Sequence, residues 1–175
     1  LPTLNTGETT GYGILKARVN RVAADGFKKG YIKIDKLIEE MGKYYIVSNW
    51  PEGDYTLGHL PGAINYKPKE SLSINKSLTS LPIDKPIVLH CYSGHKSAFV
   101  SAYLRVLGYD AYTLLYGANS YMHEKMRTGI GHAYDPAKEV NDYPLVAGEI
   151  IVDKKITKNN NLKIDSLKVV IQKEK

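Results

Sequence analysis

The fold of this chain is decided by the stretch Pro86-Ile-Val-Leu-His-Cys-Tyr-Ser-Gly-His-Lys-Ser97 and by the apolar segment that follows it, residues 98–108. Residues 87–89 form a short apolar run after a proline, which predicts a buried, parallel strand. The following segment has helical periodicity, and Gly108 suits the residue that ends the helix. Its predicted apolar face consists of Phe99, Ala102, Tyr103, Val106 and Leu107. The single cysteine, Cys91, therefore lies on a strand-to-helix turn.

The position of Cys91 predicts a chemical role for its sulfur. A helix N-terminus presents unpaired N–H groups and the positive end of the helix dipole, which stabilise a thiolate. His95 and Lys96 add positive charge nearby, so we expect Cys91 to be ionised and nucleophilic near neutral pH. Gly94 lets the backbone curl round the sulfur, so that the amides of residues 92–97 form an anion-binding nest. The alternative is an inert structural cysteine, because free cysteine is among the most buried residue types.

Alternating strands and helices on both sides of this turn indicate an open α/β sheet. Apolar runs predict further strands at residues 44–47, 63–66 and 111–115. The pattern predicts a helix over residues 119–127, whereas residues 14–25 fit either a helix or a strand and are left open. Ligands of such sheets bind beyond the carboxyl ends of the strands, where Cys91 lies.

Three motifs of this chain resemble those of the rhodanese-like sulfurtransferases. The first is the cysteine turn. The second, Asp54-Tyr-Thr-Leu-Gly-His-Leu-Pro-Gly-Ala-Ile-Asn65, is similar to the family's Gly-His-Ile-Pro-Gly-Ala signature. The third, Leu107-Gly-Tyr-Asp-Ala-Tyr-Thr-Leu-Leu-Tyr-Gly-Ala118, is similar to the strand and glycine turn that follow the active-site helix. Because the motifs occur in the family's order and spacing, together they are far more specific than any one of them.

The resemblance covers about residues 30–130 and implies a rhodanese-like open parallel sheet flanked by helices on both faces. Residues 1–29 are then an N-terminal leader and extension. Residues 131–175 are a C-terminal, β-rich extension, in which residues 149–152 and 162–171 are expected to form a hairpin.

The resemblance also assigns roles to the residues of the cysteine turn. The family's active-site loop has six residues, which correspond here to residues 91–96, with the helix beginning near Ser97. Cys91 is then the catalytic nucleophile. The implied substrate-binding residues are Tyr92, Ser93, Gly94, His95, Lys96 and Ser97.

The chain departs from the family's pattern after the first core strand. The family carries Asp-x-Arg there, whose charges help hold the strand-end loops together, whereas this chain has Ser48-Asn49-Trp50. Hydroxyl, amide and indole groups can all hydrogen-bond, so we expect the fold without the ion pair. Trp50 is interpreted as a packed aromatic residue, with a wall of the substrate pocket as the alternative. His59 belongs to the signature that braces the loops, so we expect it to be structural and not a catalytic base.

Three functions are considered for the cysteine turn. The resemblance implies a thiosulfate sulfurtransferase of the rhodanese type, in which Cys91 takes sulfane sulfur from a donor such as thiosulfate. The Cys91 persulfide then passes that sulfur to a thiophilic acceptor. A cysteine phosphatase or arsenate reductase has a longer turn that ends in an arginine, whose planar guanidinium binds an oxyanion through two parallel hydrogen bonds. In this chain Ser97 stands at the position of that arginine. The neighbouring Lys96 offers only a point charge, because an ammonium group lacks the planar geometry of a guanidinium. A non-enzymatic sulfur-carrier or binding module is the third alternative, and the presence of Cys91 argues against it.

The composition of the chain limits the cofactors and partners that we expect it to bind. A single cysteine excludes an intramolecular disulfide and, with five histidines, argues against a structural zinc site. We therefore expect no metal and no cofactor. The net charge of +6 comes from scattered lysines and a basic tail, which favours a solvated surface over a nucleic-acid groove. The expected partners are a small-molecule sulfur donor and a thiol or cyanide acceptor, without nucleic acid, and the oligomeric state is left open.

The N-terminal residues provide an expectation about the compartment. Residues 1–10 are rich in Thr, Gly, Pro and Asn, the composition of a flexible leader that follows a cleaved export signal or tethers a domain to a membrane. The sequence contains no signal-peptide apolar region and no run of transmembrane length, so membrane contact is expected only through an N-terminal anchor. We expect an exported, periplasmic or cell-envelope protein, with the cytoplasm as the alternative.

Overall fold

The computed structural model describes residues 1–131 and 133–144. The chain divides into two compact units, Leu1–Glu139 and Val140–Lys175. All helices and strands of the described part belong to the first unit. The predicted C-terminal hairpin, at residues 149–152 and 162–171, lies outside the described residues.

A parallel sheet forms the centre of the first unit and confirms the predicted open α/β fold. Its strands within the described residues are β1 (Tyr31–Ile32), β2 (Tyr45–Ser48), β3 (Ile64–Asn65), β4 (Ile87–His90) and β5 (Ala111–Leu114). Their order in the sheet is β1-β5-β4-β2-β3, and every neighbouring pair is parallel. The carboxyl ends of the strands therefore meet at one edge. Because β4 is central, the residue that follows it, Cys91, lies in the middle of that edge.

Helices and turns connect these strands. The α-helices of the described residues are α1 (Gly11–Asp25), α2 (Ile34–Glu39), α3 (Glu52–Leu57), α4 (His95–Val106), α5 (His123–Thr128) and α6 (Pro136–Glu139). Short 3₁₀ turns lie at Phe27–Gly30, Met41–Lys43, Leu78–Ser80 and Gly117–Ser120. Among the helices described, none has the length and apolar character needed to cross a membrane.

Apolar residues cover both faces of the sheet, because successive strand residues point to opposite sides. Ile87 and Leu89 of β4 pack with Leu104 of α4 on one face. Val88, between them, packs in a second cluster with Leu37 of α2. All five side chains are fully buried. Helices therefore flank the sheet on both faces, as the resemblance implied.

Helix α1 includes residues 14–25, which the sequence left open between helix and strand. Thr10 caps it, because the Thr10 hydroxyl accepts a hydrogen bond of 3.1 Å from a backbone N–H of the first turn. The Arg18 guanidinium donates to the carbonyls of Val106 at 3.0 Å and Arg105 at 2.6 Å. These carbonyls belong to the C-terminal turn of α4, so α1 is fastened to α4 chiefly by polar contacts, and none of its residues is buried.

The predicted apolar face of α4 is wrong for Phe99, Ala102 and Tyr103, whereas Leu107 packs against the core. Phe99 is 77% exposed and Tyr103 is 39% exposed, whereas Ser97, Ser101 and Leu104 are buried against the sheet. The helix carries apolar residues on more than one side, and periodicity alone does not say which side is covered. Ser97 and Ser101 determine which side of α4 faces the sheet, because their small side chains let the helix lie close to β4 and β5.

The helix predicted over residues 119–127 is also wrong as a single element. The chain forms the 3₁₀ turn Gly117–Ser120 and then α5, with Tyr121 and Met122 between them in non-helical conformations. The interruption lets Tyr121 turn towards the sheet, where its hydroxyl lies 3.3 Å from Nδ1 of His90. Strands β2 to β5 agree with their predicted limits to within one residue at each end, whereas β1 was not predicted.

The orientation of α4 predicts unequal effects for two truncations. Leu104→Ala should lower the free energy of unfolding by about 2–5 kcal/mol, because it leaves a cavity between helix and sheet. Phe99→Ala, on the exposed side, should change it by no more than about 0.5 kcal/mol. Urea denaturation followed by circular dichroism measures both. A larger loss for Phe99→Ala than for Leu104→Ala would contradict the observed face.

Candidate active site around Cys91

Cys91 lies between the carboxyl end of β4 and the N-terminus of α4, and its side chain is only 2% exposed. Two groups of Ser97 contact the sulfur. The Ser97 backbone N–H donates to Sγ at 3.4 Å, and the Ser97 hydroxyl donates at 3.6 Å. Within the described residues these are the hydrogen bonds made to the sulfur. Donated hydrogen bonds stabilise a thiolate relative to the thiol.

Helix α4 begins at His95, earlier than the predicted start near Ser97. The reason is Gly94, which has a left-handed φ of 89° and allows helical geometry immediately after it. Ser97 is consequently the third residue of the helix, and its N–H is one of those without an intrahelical acceptor. That free amide is the one that reaches the sulfur. A side chain at Gly94 would also meet the Leu114 carbonyl oxygen at 3.2 Å, so both conformation and space require glycine.

The Ser97 hydroxyl is held by a second hydroxyl from the neighbouring strand. Ser97 Oγ lies 2.7 Å from Oγ1 of Thr113 in β5 and 3.1 Å from the Gly94 carbonyl oxygen. Ser97 and Thr113 are both buried. When the Thr113 hydroxyl donates to Ser97 Oγ, the single Ser97 proton has two acceptors within reach, the Gly94 carbonyl oxygen at 3.1 Å and Cys91 Sγ at 3.6 Å. The pair therefore provides a buried hydroxyl donor for the sulfur.

The other predicted site residues differ in their surroundings. Ser93, His95 and Lys96 are exposed, and Ser93 Oγ lies 2.9 Å from Nδ1 of His95. Tyr92 is half-buried and packs against the cluster that contains Cys91. The fold thus brings Tyr92, the Gly94 turn and Ser97 to the sulfur, whereas the cationic side chains of the turn lie at the exposed surface.

The turn that follows β5 clamps the backbone of the cysteine loop. The Ala118 N–H donates to the Cys91 carbonyl at 2.8 Å, and the Asn119 N–H donates to the Tyr92 carbonyl at 3.1 Å. The Asn119 side-chain amide donates to the same Tyr92 oxygen at 2.9 Å. A Cβ on Gly117 would collide with the Cys91 carbonyl oxygen and lie 2.7 Å from the Gly94 nitrogen. Glycine at position 117 is therefore a steric requirement of the loop.

Apolar side chains surround the sulfur on its other sides. Cys91 belongs to a buried cluster whose other members are Trp50, Ala118, Met126 and Ile130, with exposures between 0% and 4%. Trp50 follows β2, Met126 lies in α5, and Ile130 follows that helix. Sequence reasoning missed Met126 and Ile130, because no motif marks them and their place depends on the path of the chain after β5. Trp50 is a packed aromatic residue, as interpreted from the sequence, and it lies in the same buried cluster as Cys91.

Tyr92 covers this cluster and is fixed at three points. Its ring stacks on Trp50, with centroids 5.4 Å apart and planes at 14°. Its hydroxyl donates to the carboxylate of Asp54 in α3. A side chain on Gly131 would collide with the Tyr92 ring, so the backbone there lies directly against it. Burial and the Asp54 hydrogen bond raise the pKa of Tyr92 above its usual value, which keeps the phenol protonated.

Side-chain amides of two asparagines hold the strand ends together near residues 48–50, where the family carries Asp-x-Arg. The Asn49 side-chain amide donates to the Tyr66 carbonyl at 3.0 Å, and the Asn65 amide donates to the carbonyls of Ser48 at 3.2 Å and Trp50 at 3.0 Å. Of the three residues that replace the family's pattern, Asn49 hydrogen-bonds through its side chain, whereas Ser48 and Trp50 do not within the described part of the chain. Their Oγ and Nε1 atoms are buried and have no partner among the described residues.

His90 is a buried, neutral imidazole next to the site. It is paired with Ser48 in the β2–β4 register and contacts Trp50 edge to face, with centroids 4.9 Å apart. Nε2 of His90 has no partner among the described residues. Burial, and then the nearby His59, lower the pKa of His90 to about 3. The imidazole is therefore uncharged throughout the physiological range.

An open cleft of about 540 Å³ lies beside the Cys91 cluster. Gly58, His59 and residues 119–125 line it, so it shares Tyr121 and Met122 with the surroundings of Cys91. His59 stacks on Tyr55 at 3.7 Å, and its Nδ1 lies 2.7 Å from the Tyr55 carbonyl oxygen. In the described residues no three His, Cys, Asp or Glu side chains come close enough to hold a metal ion.

The comparison with family models identifies the fold that this geometry represents. The model of the rhodanese-like domain matches residues 33–124, which include strands β2 to β5 and the Cys91 turn but not the short edge strand β1. The chain belongs to the rhodanese-like domain family. The comparison with curated proteins gave no match.

Solved structures of rhodanese-related proteins resemble this chain. A rhodanese-related protein from Thermoplasma volcanium is 23% identical, with a TM-score of 0.50 over 54% of this chain and 92% of that one. A rhodanese-like domain protein from Staphylococcus aureus is 22% identical, with a TM-score of 0.47 over 61% of this chain and 99% of that one. An NAD-dependent persulfide reductase from A. fulgidus is 24% identical, with a TM-score of 0.45 over 63% of this chain and 19% of that one. The first of these likenesses supports the rhodanese fold, and none identifies a substrate.

The buried His90 predicts an acid-sensitive fold. The unfolded chain binds a proton at His90 near pH 6.5, whereas the folded protein does so only near pH 3, so His90 lowers the free energy of unfolding as the pH falls through this window. A full proton difference gives a slope of about 1.4 kcal/mol per pH unit. Urea titrations between about pH 7 and pH 5 should show a smaller slope for His90→Gln than for wild type.

His95→Gln is the matched control, because the His95 side chain is exposed, and it should keep the wild-type slope. If His90→Gln does not fold, the NMR chemical shift of the His90 imidazole in the wild-type protein gives the same information. Titration of that imidazole near pH 6.5 would contradict its burial as a neutral group.

Proposed function

We propose that this rhodanese-like protein transfers sulfane sulfur through a persulfide on Cys91. The observation that carries the proposal is the contact of Ser97 N–H and Ser97 Oγ with the sulfur at the N-terminus of α4. The Cys91 thiolate attacks the outer sulfur of a donor such as thiosulfate. A new S–S bond forms to Cys91 as the donor's S–S bond breaks, and sulfite leaves with the electron pair of that bond.

The same groups support the charged states of this cycle. The Cys91 thiolate and a deprotonated persulfide are both anionic, and both gain from the Ser97 donors and the positive end of the α4 dipole. His95 and Lys96 assist from the exposed side of the turn by attracting an anionic donor. Tyr92, Ser93 and Gly94 complete the proposed donor-binding loop.

The acceptor must come from outside the chain. Cys91 is the only cysteine, so no second thiol can attack the inner sulfur of the persulfide and release the outer sulfur as hydrosulfide while an intramolecular disulfide forms. A small thiol, cyanide or the cysteine of a partner protein is the proposed acceptor. It attacks the outer sulfur of the persulfide, and the Cys91 thiolate leaves unchanged.

Burial of Cys91 favours a second candidate, a sulfur carrier without rapid turnover. With 2% of its surface exposed, and with Tyr92 pinned over the cluster, the thiol is reached only when the loop opens. A carrier loads one sulfur and releases it to a specific partner, whereas an enzyme turns over with small acceptors. Multiple turnovers with cyanide support the enzyme, and a single loading that cyanide does not release supports the carrier.

Replacement of the sulfur tests the proposed reaction. Cys91→Ser should reduce thiocyanate formation from thiosulfate and cyanide to the uncatalysed background, because serine is a poor nucleophile for sulfane sulfur. The wild-type protein should give parallel lines in double-reciprocal plots, the pattern of a ping-pong mechanism. Initial rates measured over a grid of both substrates provide the test.

Thr56→Ala is a suitable control, because the Thr56 hydroxyl is exposed and bonds only to carbonyls of its own helix in the described structure. That variant should keep the wild-type rate. Comparable rates for Cys91→Ser and the wild type would rule out a reaction at this sulfur.

A further inference from the structure

Helix α4 has an aromatic side that the sheet does not cover. Phe99 is 77% exposed and Tyr103 is 39% exposed, although the same helix buries Leu104 against the sheet. Lys96, Phe99 and Tyr103 are spaced at i, i+3 and i+7, so they lie along one face of the helix. A contiguous, exposed aromatic face is typical of a surface that binds another molecule.

Tyr116 extends this face at the carboxyl edge of the sheet. It lies two residues beyond β5, and its backbone nitrogen is 3.3 Å from the position of a Cβ on Gly94, the residue before α4. Its φ of 63° puts a bulky side chain in the left-handed region, which is unfavourable for a residue other than glycine. The ring is 68% exposed, so its burial in the fold does not offset this strain. Strained residues cluster at functional sites, which makes Tyr116 an independent indication of a binding surface.

The charge of this region indicates the sign of its partner. Between Asp84 and Glu124 the sequence contains a single acidic residue, Asp110. Asp110 precedes β5 and therefore lies at the opposite, amino edge of the sheet. His95 and Lys96 are exposed at the start of α4, where the helix dipole adds positive potential. A positive patch of this kind attracts and orients an acidic partner.

Carboxylates from other elements are already engaged near this patch. Asp25 of α1 lies 2.8 Å from the guanidinium of Arg105 in the last turn of α4. Asp54 of α3 accepts a hydrogen bond from Tyr92. Neither carboxylate is paired with His95 or Lys96 in the described structure, so the positive charge at the start of α4 is available to a partner.

Charge also distinguishes between the candidate occupants of this surface. A second copy of the chain would bring the same positive patch, and like charges placed opposite each other oppose association. Residues 145–175 carry seven lysines and four acidic residues, so this segment is basic as well. An acidic partner from outside the chain is therefore favoured over either of them.

We propose that an acidic protein segment carrying the acceptor cysteine docks beside the loop that holds Cys91. The docking surface consists of His95, Lys96, Phe99, Tyr103 and Tyr116. The inference rests on the proposed sulfur transfer and adds a partner to it. The cysteine thiolate of the segment attacks the outer sulfur of the Cys91 persulfide, the S–S bond of the persulfide breaks, and the Cys91 thiolate leaves with the electron pair. The segment gains one sulfur atom, so the step needs no oxidant or reductant.

Binding is tested with peptides that cannot accept sulfur. Two peptides of equal length, with a central leucine and with serine in place of cysteine, carry either glutamates or lysines at the same positions. In NMR titrations of the full chain, the glutamate peptide should shift the amide signals of Phe99, Tyr103 and Tyr116, with a Kd on the order of tenfold lower than that of the lysine peptide. Equal affinities, no binding, or shifts confined to other surfaces would overturn the inference.

Transfer is tested with the cysteine forms of the same peptides as acceptors and cyanide as the small acceptor. In a ping-pong scheme kcat/KM for the acceptor reports the second half-reaction alone. Phe99→Ala should lower this value for the glutamate peptide on the order of tenfold and leave the value for cyanide unchanged. Tyr12→Ala is the matched control, because it removes a ring that is 76% exposed from α1, and it should change neither value.

Tyr116→Gly separates docking from folding. Glycine adopts a φ of 63° without strain, so this variant should unfold at no lower urea concentration than the wild type, yet its kcat/KM for the glutamate peptide should fall while that for cyanide is kept. Equal losses for peptide and cyanide, or no loss for the peptide, in Phe99→Ala and Tyr116→Gly would overturn the docking surface and leave sulfur transfer intact. Failure of Cys91 to take up sulfur from the donor would instead overturn the proposed function, whereas the serine peptides report docking without that chemistry.

Discussion

The close approach of the Gly117 backbone to the Cys91 carbonyl is the constraint on which the site depends. The turn after β5 donates from Ala118 to Cys91 at 2.8 Å and from Asn119 to Tyr92 at 3.1 Å, so it fixes the carbonyls at the start of the cysteine loop. With those oxygens fixed, the left-handed Gly94 starts α4 at His95. The free amide of Ser97 then lies within reach of the sulfur. A single Cβ at position 117 would disturb each of these steps.

The resulting site places two different environments around one sulfur atom. On the helix side, the sulfur meets polar donors from Ser97, which Thr113 supports through a 2.7 Å contact. On the opposite side it meets Trp50 and the apolar residues from α5 and beyond. The donors stabilise negative charge on sulfur, and the apolar wall excludes water that would otherwise solvate it. Placement at the end of the central strand β4 makes this possible, because both elements converge there.

The sequence predicted the part of the site that is local along the chain. The apolar run at residues 87–89, Gly94 and the single cysteine together indicated a strand, a turn and a helix, because each is a short-range backbone preference. Periodicity did not show which side of α4 faces the sheet, since Phe99 is apolar yet exposed and Ser97 is polar yet buried. Nor did it find Met126 and Ile130, whose contacts with Cys91 depend on tertiary packing. The replacement of Asp-x-Arg was visible, but its outcome, amide bonds from Asn49 and Asn65, required the register of β2 and β3.

Direct detection of a persulfide on Cys91 is the measurement that tests this account most sharply. The protein is exposed to a sulfane donor without acceptor, freed of excess donor, alkylated, digested and examined by mass spectrometry of the Cys91 peptide. The account predicts one added sulfur atom on that peptide, which cyanide removes as thiocyanate. A peptide that gains no sulfur from thiosulfate would contradict it.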